Sequence, residues 1–135
     1  MPLRMSFAMT TDQIIARSKF VTRRFGWWNL KPGDILWAVE KSMGLKKGEK
    51  TKYLDSIEVV DVRREPLNAI DQSDCVKEGF PDMTPNQFVE MLVNHYKINP
   101  NEICNRIQFQ YSNKLEGGLS VATQQELFAP EPTKP

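Results

Sequence analysis

The chain is predicted to be α+β: a small β-barrel of five or six strands, with short helices inserted between them. Three observations lead there. Apolar residues alternate with period two in several short stretches, as in Ile103, Ile107, Phe109 and Tyr111. Turn residues punctuate these stretches, most clearly Lys31-Pro32-Gly33-Asp34. One segment repeats apolar residues every four positions instead, at Phe88, Leu92 and Tyr96, which marks an amphipathic helix. At 135 residues, 40% of them hydrophobic and 26% charged, the chain fits one globular domain that buries its core without help from disulfides or metal.

Leu3, Met5, Phe7 and Met9 alternate with smaller or polar residues and predict a first strand over 3–9. Thr10 and Gln13 have the spacing of a capping box, which opens a short helix ending near Ser18. Phe20-Val21-Thr22 is a strand that runs into Arg23 and Arg24. The Lys31–Asp34 turn, type II by its central proline and glycine, launches a third strand over Ile35 to Val39.

From Lys41 to Lys52 the chain has five lysines and two glycines, the composition of an exposed basic loop. Tyr53 to Val62 is β-branched and predicts a strand that ends by Pro66. A weakly marked helix follows over Asn68–Lys77. A well-marked one opens at Thr84-Pro85-Asn86-Gln87, which supplies in order a cap, a first-turn proline and a capping-box glutamine. Ile103–Tyr111 is the last strand. Residues 1–111 form the expected domain, and 112–135, ending Pro130-Glu131-Pro132-Thr133-Lys134-Pro135, an extension expected to be loosely ordered.

Cys75 and Cys104 form no CxxC pair and are expected to be reduced and buried. A single histidine, His95, excludes sites built on two or three histidines, so neither metal nor cofactor is expected; His95 itself is expected to be a surface residue without a role. The absence of a long apolar run or a signal-like start gives a cytoplasmic expectation with no membrane partner. The net charge of +1 hides an asymmetry: residues 1–52 carry eleven Lys/Arg against four Asp/Glu (+7), and the remainder is −6. Such a chain either offers one basic surface to an anionic partner, nucleic acid foremost, or has two halves that neutralise each other across the fold.

The densest group of chemically able residues is Lys19, Thr22, Arg23 and Arg24, followed by Trp27 and Trp28. Arginines supply forked donors for phosphate or base edges, and tryptophans supply stacking surfaces worth about 1–3 kcal/mol per base. Lys46, Lys47 and Lys50 are candidates for phosphate contacts. On a strand Thr22 and Arg24 share a face, but Lys19 lies an odd number of residues from both and joins them only through a bend.

Together with Lys31-Pro32-Gly33-Asp34, Glu78-Gly79-Phe80 and Ile107-Gln108-Phe109, the run Ser18–Arg24 resembles the ASCH domain family over residues 3 to 111. The family's lysine, threonine and arginine have counterparts in Lys19, Thr22 and Arg24, while Arg17 stands where the family has glycine. The resemblance implies a PUA-like barrel whose basic pocket recognises nucleic acid or a modified nucleobase, RNA in preference to DNA. It also implies an alternative. Small bacterial amidohydrolases of this kind deacetylate N(4)-acetylcytidine, which would make Lys19 the general base, Thr22 the nucleophile and Glu78 the proton donor. A metal-independent ribonuclease is a third reading of the same basic surface.

Overall fold

The structure is a computed structural model that describes residues 3–41, 47–48 and 51–112. Lys46, Lys50 and the extension beyond Ser112 lie outside the described residues.

The strands are β1 (Leu3–Ser6), β2 (Val21–Arg24), β3 (Ile35–Val39), β4 (Tyr53–Pro66) and β5 (Ile103–Tyr111). The helices are α1 (Thr11–Ile15), α2 (Gln72–Lys77) and α3 (Pro85–Tyr96), with 3-10 turns at Ala8–Thr10 and Leu67–Ala69. One sheet in the order β1-β3-β4-β5-β2 curls into a half-barrel. β1 runs parallel to β3 and every other pairing is antiparallel. β1 and β2 are therefore the edges.

Local chemistry explains most of these elements. Gly33 has φ +96°, and the Asp34 N–H donates to the Lys31 carbonyl at 3.1 Å, the geometry that the Pro32-Gly33 pair demands. α3 carries its capping box: Thr84 Oγ1 accepts from the Gln87 N–H at 3.2 Å, and Gln87 Oε1 accepts from the Thr84 N–H at 2.9 Å. In β4 the register shifts between Val59 and Asp61. Val60 is the extra residue of this bulge and faces solvent, while Ile57 and Val59 stay buried.

Three expectations need correction. The first strand stops at Ser6, because the chain turns into the 3-10 segment that carries Met9 to the surface. Thr10 makes no side-chain cap to α1, and Gln13 is used elsewhere. The helix expected over Asn68–Lys77 is a 3-10 turn followed by α2, capped by Asp71, whose Oδ1 accepts from the Asp74 N–H at 2.9 Å.

The core has two parts. Met5, Phe7, Ile14, Leu36, Ile57, Val59, Ile107 and Phe109 fill the concave side of the sheet. Leu67, Ile70, Cys75, Phe88, Val89 and Leu92 join α2 and α3 beneath it. Burying a ring such as Phe88 contributes about 1.5–3 kcal/mol. Both cysteines are free and buried, and burial pushes the Cys104 thiol up to about 11. Among the described residues no helix is long and apolar enough to cross a membrane.

Candidate functional site

Two helix ends set the centre of the site. α1 closes with Arg17 at φ +55°, the Arg17 N–H donating to the Ile14 carbonyl at 3.0 Å and the Ser18 N–H to the Gln13 carbonyl at 2.9 Å. α2 closes in the same way, with Gly79 at φ +95°, the Gly79 N–H on Val76 at 3.0 Å and the Phe80 N–H on Cys75 at 2.9 Å. Both are Schellman motifs, which leave the chain turning sharply away from the helix axis. The turn at Arg17 is the bend that Lys19 needs. Gln13 Nε2 donates to the Gly79 carbonyl at 3.2 Å and the Phe20 N–H to the Lys77 carbonyl at 2.6 Å, so the two ends are tied together.

This brings Lys19 against Glu78. Lys19 Nζ donates to Glu78 Oε1 at 2.7 Å and to the Glu78 carbonyl at 2.9 Å, with both side chains 3% exposed. Burial lowers the Lys19 pKa from its ordinary 10.5; Glu78 opposes that shift, and Arg24 and Arg23 add to it. The Lys19 backbone is pinned separately by the Tyr111 hydroxyl, which donates to its carbonyl at 2.6 Å.

Behind the pair is an ionic network. Arg23 donates to Glu78 Oε2 at 3.2 Å, to Glu65 Oε2 at 2.7 Å and to Asp74 Oδ2 at 2.6 Å. Arg106 grips Asp74 with two bonds of 2.7 and 2.9 Å. Burial works against the charge on Arg23, yet the hydrogen bond to Asp74 and the field of Glu78 outweigh it and hold its pKa above the ordinary value. The bonds from Arg106, and after them those from Arg23, hold Asp74 well below the usual carboxylate range.

Thr22 and Arg24 share the face of β2 that alternation predicts, and Arg24 Nε donates to Thr22 Oγ1 at 3.0 Å. Arg24 Nη2 donates to the Ser6 carbonyl at 2.6 Å, so this side chain bridges the two edge strands of the half-barrel. Its guanidinium lies 4.7 Å from the Phe7 ring centroid. At that seam is a cavity of about 260 Å³. Lys19, Thr22, Arg23, Arg24 and Glu78 provide its polar side, and Phe7, Phe80, Phe88, Met91 and Leu92 its apolar walls, with His95 and Tyr96 from α3 completing it.

The structure thus gathers Lys19, Thr22, Arg23, Arg24 and Glu78 in one place. It does not bring the tryptophans there. Trp27, at φ +59°, packs on the core and its carbonyl accepts from Asn105 at 2.8 Å; Trp28, 40% exposed, is stacked under the Arg64 guanidinium at 4.8 Å. Lys47 is an exposed surface residue and does not line the cavity. Glu78 pairs with Lys19 and Arg23. His95 is exposed as expected, yet it lines the cavity beside Tyr96, their rings edge-on at 4.7 Å. The signal for it was available: His95 lies seven residues beyond Phe88, on the same side of the helix.

No family model matches the chain, and no curated protein matches it by sequence. Among solved structures, the ASCH domain of Lactobacillus crispatus JV V101 is similar with a TM-score of 0.59 at 16% identity, covering 80% of this chain and 77% of that one. A DUF984 protein from Enterococcus faecalis V583 is similar with a TM-score of 0.59 at 14% identity, covering 82% and 80%. At these identities the likeness is one of backbone architecture. The curled five-stranded sheet, with β2 at one edge, therefore has an ASCH-like fold.

Proposed function

We propose that the seam cavity binds a single nucleobase, carried by a nucleoside or by RNA. The observation behind this reading is the division of the lining: aromatic and apolar walls on one side, and Lys19, Thr22, Arg24 and Glu78 converging on the other. A base presents flat apolar faces and a polar edge, and such a cavity meets both. Its volume suits one base or nucleoside, so any further nucleotides of an RNA would run over the surface, where Lys47 is a phosphate contact. Tyr96, which is exposed at the rim, takes the stacking role first given to Trp27 and Trp28. Calorimetric titration with nucleosides and short RNAs at two salt concentrations tests the reading. Saturable binding that weakens in Lys19→Ala and Arg24→Gln is expected, and the absence of binding by every base would overturn it.

A second reading, deacylation of an N(4)-acylcytidine, is favoured by the lowered pKa of Lys19 beside a threonine in the same cavity. The step requires Lys19 to pass a proton to Glu78 across their 2.7 Å contact; the free amine then takes the Thr22 proton as Oγ1 attacks the acyl carbon. The C–N bond then breaks, and the leaving amine receives a proton from Lys19 or, across the 2.7 Å contact, from Glu78. Water releases the acyl group from Thr22 as a carboxylic acid. Free cytidine from N(4)-acetylcytidine, followed by chromatography and lost in Lys19→Ala and Thr22→Ala, is the expected result. No turnover at high enzyme concentration would leave the binding reading alone.

A further inference from the structure

The groups in and behind the cavity do not balance in charge. Lys19, Arg23, Arg24 and Arg106 are four cations, and Glu65, Asp74 and Glu78 are three carboxylates. Every ion pair in this network belongs to Lys19, Arg23 or Arg106, apart from the exposed Arg63 that also reaches Glu65. Among the described residues, no carboxylate lies within ion-pair distance of Arg24. Arg24 is nonetheless held firmly. Nε is occupied by Thr22 Oγ1, Nη2 by the Ser6 carbonyl, and one face lies on Phe7.

Nε and Nη2 form one edge of a guanidinium, so the edge shared by Nη1 and Nη2 still has protons to donate. Arg24 lines the cavity, and this second edge is its unused fork. A fixed fork with no carboxylate paired to it, in a small cavity with apolar walls, is built for two coplanar oxygens that carry a negative charge. We infer that the open edge of Arg24 is an oxyanion subsite, so that the preferred ligand of the cavity is an anion, a phosphate or carboxylate attached to the base-bearing group. The inference rests on the nucleobase reading for the rest of the ligand, but the subsite itself does not.

The experiment is a calorimetric comparison of cytidine, cytidine monophosphate, inorganic phosphate and acetate on the full chain. The monophosphate is expected to bind at least roughly tenfold tighter than the nucleoside, in line with one added charge-assisted bond. That advantage should vanish in Arg24→Gln and partly survive in Arg24→Lys, which keeps the charge and loses the fork. Equal binding of nucleoside and monophosphate by the unmodified protein would overturn the subsite and leave the nucleobase reading standing, whatever the folding of the variants. If neither nucleoside form binds but phosphate or acetate does, the subsite stands and the nucleobase reading fails; binding of no anion at all overturns the subsite.

Discussion

Lys19 and Glu78, 59 residues apart in sequence, meet through a 2.7 Å ammonium–carboxylate contact and a second bond from the same nitrogen to the Glu78 carbonyl. Both are almost fully enclosed, so neither charge has water to fall back on. Removing one partner of such a pair leaves a buried uncompensated charge, at a cost of about 3–5 kcal/mol. Glu78→Gln should show a loss of that size in denaturant unfolding. The double change Lys19→Met with Glu78→Leu should recover most of it. A single-variant cost below about 1 kcal/mol would mean that the pair does not hold the two helix ends together.

The lowered pKa of Lys19 has a definite sign in stability. Between its folded value and the unfolded 10.5, the unfolded chain binds more protons, so stability rises with pH. Lys19→Met should flatten that rise. Tyr111, pushed up to about 12 by burial, acts in the opposite direction above pH 10, because the unfolded tyrosine ionises first. Unfolding midpoints measured from pH 7 to pH 10 separate the two effects, and equal slopes for variant and parent would refute the assignment.

Asp74 governs the acid side. Its folded pKa lies well below 3.8, so it contributes stability that is fully present above that value and is lost as pH falls toward the folded pKa. Asp74→Asn should cost about 3 kcal/mol at neutral pH, since Arg23 and Arg106 both lose the carboxylate charge they share at Oδ2. Its acid unfolding curve should also be shallower below pH 4. Acid titration followed by circular dichroism gives both quantities.

Arg17 occupies a left-handed position where glycine is the easier residue. Its side chain is half exposed and pairs with Asp55 at 2.9 Å, a contact worth about 0–1 kcal/mol. In Arg17→Gly, backbone relief and the lost pair should cancel to within about 0.5 kcal/mol. Arg17→Val keeps the strain without the pair and should cost more than about 1 kcal/mol. Thermal melts of the two variants make the test, and equal stability would remove φ from the explanation.

Local signals were legible in the sequence where one residue dictates one geometry. Pro32-Gly33 gave its turn, Thr84–Gln87 its capping box, and the spacing of Thr22 and Arg24 their shared face. The bend at Lys19 was anticipated, but its cause, an arginine closing a Schellman motif, was not, because nothing in the side chain announces a positive φ. Gln13 misled for a related reason. Its spacing from Thr10 fits a cap, yet a partner 66 residues away, the Gly79 carbonyl, takes its amide. The tryptophans looked like stacking surfaces by composition alone, and only the path of the chain after β2 decides that they turn to the core and to Arg64.

The Tyr111 hydroxyl fixes the Lys19 backbone, and β5 lies between β4 and the strand that carries Thr22 and Arg24. Lys19, Thr22, Arg24 and Glu78 all leave the ribosome before that strand exists. Until β5 is made, β2 has no neighbour in the sheet and the seam has only one side, so the cationic segment from Lys19 to Arg24 stays in water until then. The pocket is thus completed only once β5 has been made, which spares the growing chain a half-built site with buried charges and no counterions.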